Sequence, residues 1–160
     1  MTEGVGPGRR EGGRLLPGSP LRSGMPVDSD DRLLEILEYE TIAIVGCSRT
    51  PGEAAHSIPH YMADHGYDVI PVNPFAGEIL GRDAYDTLAD VTEEVDIVDV
   101  FRPSEEVAGI VDEVLERDDI RAVWLQLGIR DDEAGERVED SGRLFVQDRC
   151  LKVEHQRLMG

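Results

Sequence analysis

Residues 41–52, Thr-Ile-Ala-Ile-Val-Gly-Cys-Ser-Arg-Thr-Pro-Gly, constrain the chain more than any other stretch. The run Thr41 to Val45 reads as a strand buried on both faces, and Gly46 ends it at a turn that leads into a helix. A strand that hands over to a helix N-terminus leaves unpaired backbone amides and the positive end of a helix dipole facing one spot. The turn therefore reads as an anion cradle, suited to phosphate.

The rest of the chain repeats the strand and helix alternation. Asp28, Ser29 or Asp30 caps a first short helix with Leu33, Leu34, Ile36 and Leu37 on its apolar face. That face packs either on its own domain or on a second copy. After the first strand, Ser57 is expected to cap a helix with Pro59 in its first turn and Gly66 at its end. Further strands are read at 67–72, 95–101, 122–126 and 143–147, with a hairpin-like or helical stretch around 85–91. Ser104, with Glu105 and Glu106 behind it, is expected to cap the helix after the third strand, and Asp131 and Asp132 open the next. A short helix reaching Leu158 closes the chain. Strands alternating with helices imply right-handed crossovers and a parallel sheet covered on both faces. The expected fold is α/β, a Rossmann-like, doubly wound, five-stranded parallel sheet in a single domain spanning residues 28–160.

In such sheets ligands bind beyond the carboxyl ends of the strands, at the point where the strand order reverses. Arg49 follows the first strand, Asn73 the second, Arg102 the third, Gln126 and Arg130 the fourth, and Arg149 the fifth. Four arginines on one rim suit a ligand with several phosphates, although each has surface carboxylates available as partners. A dinucleotide site would want G-x-G-x-x-G in the first turn and an acid at the end of the second strand. Here the turn is Gly46-Cys-Ser-Arg-Thr-Pro-Gly52 and the strand ends in Pro71-Val-Asn-Pro74, which disfavours NAD. No Gly-Lys-Ser/Thr occurs, which removes a nucleoside triphosphatase loop.

These residues resemble the small CoA-binding domain proteins, similar in fold to the N-terminal domain of the succinyl-CoA synthetase alpha subunit. The resemblance runs over about residues 30–158, through Ile44-Val-Gly-Cys-Ser48 with Pro51, His65-Gly-Tyr67, Ile70-Pro-Val-Asn-Pro74, Ile79-Leu-Gly81, Asp96-Ile-Val-Asp-Val-Phe-Arg-Pro103, Val123-Trp-Leu-Gln-Leu-Gly128 and Asp148-Arg-Cys150. It implies coenzyme A across the switch point, with phosphates on the turn formed by Gly46, Cys47, Ser48, Arg49 and Thr50. Asn73 and Pro74, Phe101, Arg102 and Pro103, and Gln126, Gly128 and Arg149 would line the rest of the ligand path. Members of the family usually carry an Arg and a Ser in the loop after Pro51, where this chain has Glu53 and Ala55. Arg49 stands in the neighbouring turn.

The synthetases related by fold need a phosphorylated histidine and a further ligase domain, and no histidine loop is evident after the fourth strand. The expected function is a stand-alone, non-catalytic module for CoA or an acyl-CoA, without catalytic residues or metal ligands. The alternative is a small enzyme, or a redox or regulatory protein, that uses CoA together with Cys47 or Cys150. Both cysteines are otherwise small buried hydrophobes, and Trp124 reads as core. His56 and His60 are four apart but lack a third ligand, and read as capping or surface histidines.

Composition narrows the partners. The formal charge of the 160-residue chain is -18, with 34 acidic and 16 basic residues and Lys152 as the only lysine. Removing the two acids and four arginines of the first 27 residues leaves 32 acidic and 12 basic residues, a charge of -20 on the rest. Repulsion of that size disfavours nucleic acid and anionic membranes as partners. A lysine-poor acidic surface is what a salt-rich cytoplasm selects, so a haloarchaeal member is expected. Two cysteines without a motif, and no apolar run of spanning length, imply a reduced, cytoplasmic protein. Residues 1–27, rich in Gly, Pro and Arg, are expected to be disordered, a dispensable tail or the product of an upstream start. A homo-oligomer or a protein partner stays open.

Overall fold

A computed structural model describes residues 29–160, so the expected tail of residues 1–27 lies outside the described residues. The elements run α1 (Asp30–Leu37), β1 (Thr41–Val45), α2 (Ala54–Asp64), β2 (Asp68–Val72), β3 (Glu78–Ile79), β4 (Arg82–Asp83), a 3-10 turn (Leu88–Asp90) and β5 (Ile97–Val100). A second 3-10 turn (Ser104–Glu106) leads into α3 (Val107–Leu115), followed by β6 (Ala122–Leu125), α4 (Asp132–Asp140), β7 (Leu144–Val146) and α5 (Leu151–Leu158). Five strands form one parallel sheet in the order β2-β1-β5-β6-β7, and β3 pairs with β4 in a separate antiparallel hairpin. The order reverses between β1 and β5, which sets the switch point there.

The burial pattern follows from this arrangement. All four residues of β5 and all four of β6 are buried, as central strands covered on both faces must be. Alternate side chains enter two cores. One, containing Val98, Val100, Val123 and Phe145, lies against α3 and α4. The other, containing Ile44, Trp124, Val146 and Leu151, lies against α1, α2 and α5. Leu33 and Leu37 are fully or almost fully buried in this second core, so the apolar face of α1 packs on its own domain.

Two local expectations are corrected and a third is made definite. Helix α2 starts three residues earlier than Ser57, with Glu53 as the residue before it, and the Ser57 hydroxyl donates back to the Glu53 carbonyl at 3.1 Å. Pro59 thus falls inside the helix, where it has no amide to offer the carbonyl of Ala55. That carbonyl accepts the amide of Ser48 instead, at 2.9 Å. Ser104 does not cap α3; its hydroxyl accepts the amide of Arg130 at 3.0 Å, across the rim. The stretch from 78 to 91 holds the hairpin and a single 3-10 turn, the hairpin closing through Leu80 at φ 55 and Gly81 at φ 79.

Among the described residues, Asp99 is the one acidic or basic residue placed fully inside the sheet, at 0% exposure in β5. Its Oδ1 accepts the Gln126 side-chain amide at 2.8 Å, and its Oδ2 has no protein partner. Burial pushes the Asp99 carboxyl up to about 8, against the smaller opposing effect of the Gln126 bond. An unfolded chain releases this proton above about pH 4, whereas the folded chain keeps it until about pH 8. The group therefore weakens the fold progressively as pH rises through that window. Asp99→Asn is expected to melt about 5 °C higher than the parent at pH 8, with the difference shrinking at pH 5, in thermal unfolding followed by circular dichroism.

Candidate functional site

The carboxyl ends of β1 and β5 bring the turn after β1 against Arg102. Gly46 adopts φ +89 and donates its amide to the Val72 carbonyl at 3.0 Å, joining β1 to β2 at the rim. A Cβ at this position would lie 2.8 Å from Arg102 Cδ and 3.3 Å from the Phe101 backbone, so both the backbone angle and the space require glycine. The Arg102 guanidinium is held by Glu106, Nε donating to Oε1 at 3.0 Å and Nη2 to Oε2 at 2.8 Å. This paired bond raises Arg102 and lowers Glu106 relative to their ordinary values.

Asn73 is a structural tie. Its Nδ2 donates to the Cys47 carbonyl at 2.8 Å, and its Oδ1 accepts the Phe75 amide at 2.8 Å. The residue that stands where a dinucleotide site has an acid thus fastens the turn after β1 to the end of β2. Ser48 is equally engaged: its Oγ accepts the Thr50 amide at 3.0 Å and donates to Glu53 Oε1 at 2.6 Å. Arg49 and Thr50 are exposed on the outer side of the turn, and among the described residues Arg49 has no ion pair.

Beside the turn opens a cleft of about 340 Å³. Gly46, Asn73, Pro74 and Arg102 line it, so four of the expected site residues converge there. Its walls include Val45, Val72, Leu88 and Ile110, and its mouth carries Asp86, Glu106 and Glu113. Phe75 borders it at 89% exposure, the most exposed large apolar side chain described. Sequence reasoning missed Phe75 and the three acids; the signal for Phe75 was its place directly after the Pro71 to Pro74 strand end.

The remaining candidates fall elsewhere. Gln126 is almost fully buried, its Nε2 on Asp99 and its Oε1 accepting the Leu151 amide at 3.4 Å, so it faces the α5 side of the sheet and not the cleft. Gly128 donates its amide to Asp148 at 2.7 Å, and Arg130 reaches the same carboxylate at 3.3 Å. Arg149 is drawn back to Glu154 at 3.4 Å, and its carbonyl accepts the indole of Trp124 at 2.9 Å. Phe101 packs half-buried into the core beside α1, α2 and α5, while Pro103 is exposed before the second 3-10 turn. The arginines after β5, β6 and β7 are therefore each paired with a carboxylate of this chain. His56 and His60 stack at 6.2 Å, and His60 lies 3.3 Å from Asp64.

Cys47 does not fit thiol chemistry. It is fully buried, and burial, with Asp99 nearby, pushes its thiol up to about 12. Cys150, the residue before α5, is partly exposed.

A doubly wound parallel sheet, with a glycine turn and an arginine meeting at its switch point beside an apolar-walled cleft, defines a Rossmann-like α/β protein. The family model described as a CoA binding domain matches residues 40–156, and the chain belongs to that family. It is similar to the uncharacterized protein YneT of Bacillus subtilis (strain 168), 39% identical over 128 residues, 79% of this chain and 94% of that protein. A stretch of 84 residues, 52% of this chain, is 29% identical to the ADP-forming acetate–CoA ligase of Methanocaldococcus jannaschii, where it corresponds to 12% of the enzyme. Among solved structures, a Thermus thermophilus protein superposes with a TM-score of 0.77 at 41% identity, over 82% of this chain and all of that one. A Pyrococcus horikoshii OT3 protein does so with 0.79 at 31%, over 88% and 100%. The match to a Bacillus subtilis protein gives no support to a haloarchaeal origin. No helix of the described residues is long and apolar enough to cross a membrane.

The two thiols are expected to separate cleanly towards a thiol-reactive chromogen. Cys150 reacts in the native protein, whereas Cys47 reacts only after denaturation; rapid native reaction of both would contradict the burial described here.

Proposed function

We propose that the protein binds coenzyme A or an acyl-CoA at the carboxyl ends of the parallel strands, as a non-catalytic module. The observation that carries this reading is the meeting of the Gly46 turn, Arg102 and the apolar-walled cleft at the switch point, in a chain of the CoA binding domain family. The physical fit has two parts. Gly46, without a side chain, lets a phosphate approach the backbone closely beside Arg102, and the first-turn amides of α2 follow a few residues on. The cleft walls, Val45, Val72, Leu88 and Ile110, offer apolar surface to the uncharged part of the ligand. The acid-free end of β2 supports CoA over NAD, since Asn73, which holds the turn, stands at the position where a dinucleotide site has its ribose-binding acid.

The relation to acetate–CoA ligase, of which the matched stretch is 12%, supports the ligand class. A second reading, CoA-linked thiol chemistry, now rests on Cys150 alone, the partly exposed residue at the start of α5. The two free cysteines and the strongly acidic surface support a cytoplasmic module for a small molecule, tolerant of high salt and without nucleic acid or membrane partners.

Calorimetric titration with CoA, acetyl-CoA, NAD and ATP in molar KCl tests the reading. Heats and a native mass spectrum consistent with a CoA adduct are expected, with NAD and ATP far weaker. Preference for NAD, or no response to either CoA species, overturns it. Arg102→Ala is expected to weaken CoA at least about tenfold, as loss of a charge-assisted phosphate contact does.

A further inference from the structure

The hydroxyl at the centre of the turn is already occupied by a carboxylate of the same chain. Ser48 Oγ donates to Glu53 Oε1 at 2.6 Å. Glu53 precedes α2 with extended backbone, φ -85 and ψ 144, the conformation of a capping residue, yet its side chain makes no bond to the helix amides. It folds back to Ser48 instead, so that its carboxylate lies against the turn at the residue that precedes α2. That is the region where the orphan amides and the dipole of an eleven-residue helix attract an anion. The amide of Ser48 is also engaged, by the Ala55 carbonyl, so the hydroxyl is the group of Ser48 left to meet a ligand.

We propose that Glu53 is a specificity-determining residue of the ligand site: an internal anion that holds the Ser48 hydroxyl in the ligand-free turn and opposes the entry of phosphate. The proposal rests on the reading above, that a phosphate of CoA meets this turn. A phosphate oxygen reaching the Ser48 hydroxyl displaces the Glu53 carboxylate, which then either turns out to solvent or stays as a close like charge. Each outcome lowers affinity, and more steeply for a ligand with more phosphate charge. The turn is thereby set to hold its ligand less tightly than its backbone geometry allows, and Glu53 is the residue that sets it.

Calorimetry with CoA on the full chain, comparing the parent with Glu53→Gln, Ser48→Ala and Asp140→Asn, tests this. Gln keeps an acceptor for the Ser48 hydroxyl and removes only the charge. Asp140, exposed at the last residue of α4 and distant in the fold from the turn, controls for the change in net charge. Glu53→Gln is expected to bind CoA about tenfold tighter, and Asp140→Asn to stay within about twofold of the parent. In Ser48→Ala the further Glu53→Gln change is expected to bring a smaller gain. Equal gains from Glu53→Gln and Asp140→Asn, or CoA binding unchanged or weakened in Glu53→Gln while the parent binds, overturn the role of Glu53 and leave the CoA reading standing. No CoA binding by the parent or by Glu53→Gln overturns the CoA reading itself.

Discussion

Strands β1 and β5 pair in parallel register from Ile42 with Ile97 to Val45 with Val100, and the chain leaves this ladder in opposite directions. The crossover through α2 carries it to β2 on one side, and the later crossovers carry it to β6 and β7 on the other. A crevice at the carboxyl ends of these two strands follows from topology alone. The Phe101 amide donating to the Val45 carbonyl at 2.9 Å extends the ladder one step beyond the strands and delivers Arg102 over Gly46. Every feature of the candidate site, from the glycine with no room for a methyl group to the cleft beside it, depends on that last hydrogen bond falling where it does.

The same ladder fixes which residues are hidden, and this explains what sequence reasoning could and could not reach. Strand centres were legible because central parallel strands are apolar on both faces, and Gly46 and Arg102 because they directly follow such runs. Gln126, expected on the ligand path, does not line the cleft. Counting by twos from the buried Trp124 places it on the α5 side, where its amide lies between Asp99 and the Leu151 backbone. Ser57 and Pro59 are ordinary opening residues and point to a start of α2 too far along the chain, and only the Ser48 to Ala55 bond shows why the proline is tolerated four positions deeper. The ion pairs of Arg130 with Asp148 and of Arg149 with Glu154 depend on side-chain direction at the rim, which residue spacing does not encode.

In a body this acidic, a guanidinium seldom stays unpaired, and the rim shows the outcome. Of the four rim arginines, Arg102, Arg130 and Arg149 are each paired with a carboxylate of the chain itself, and Arg102 is the one that lines the cleft among the described residues. The pairing with Glu106 is not simple competition, because it also fixes the guanidinium in a definite place beside the turn. Beneath the same turn, the central strand carries a buried acid beside a buried thiol, both held in their neutral forms at neutral pH by the lack of solvation.

Pro59 has an effect reaching well beyond its own helix. Because it offers no amide, the carbonyl of Ala55 is left to the Ser48 amide, and the glycine turn is spliced into the first turn of α2 as one rigid piece. A loop joined in this way is ordered by the fold alone. The conformational entropy of the turn is lost when the protein folds and not when the ligand arrives.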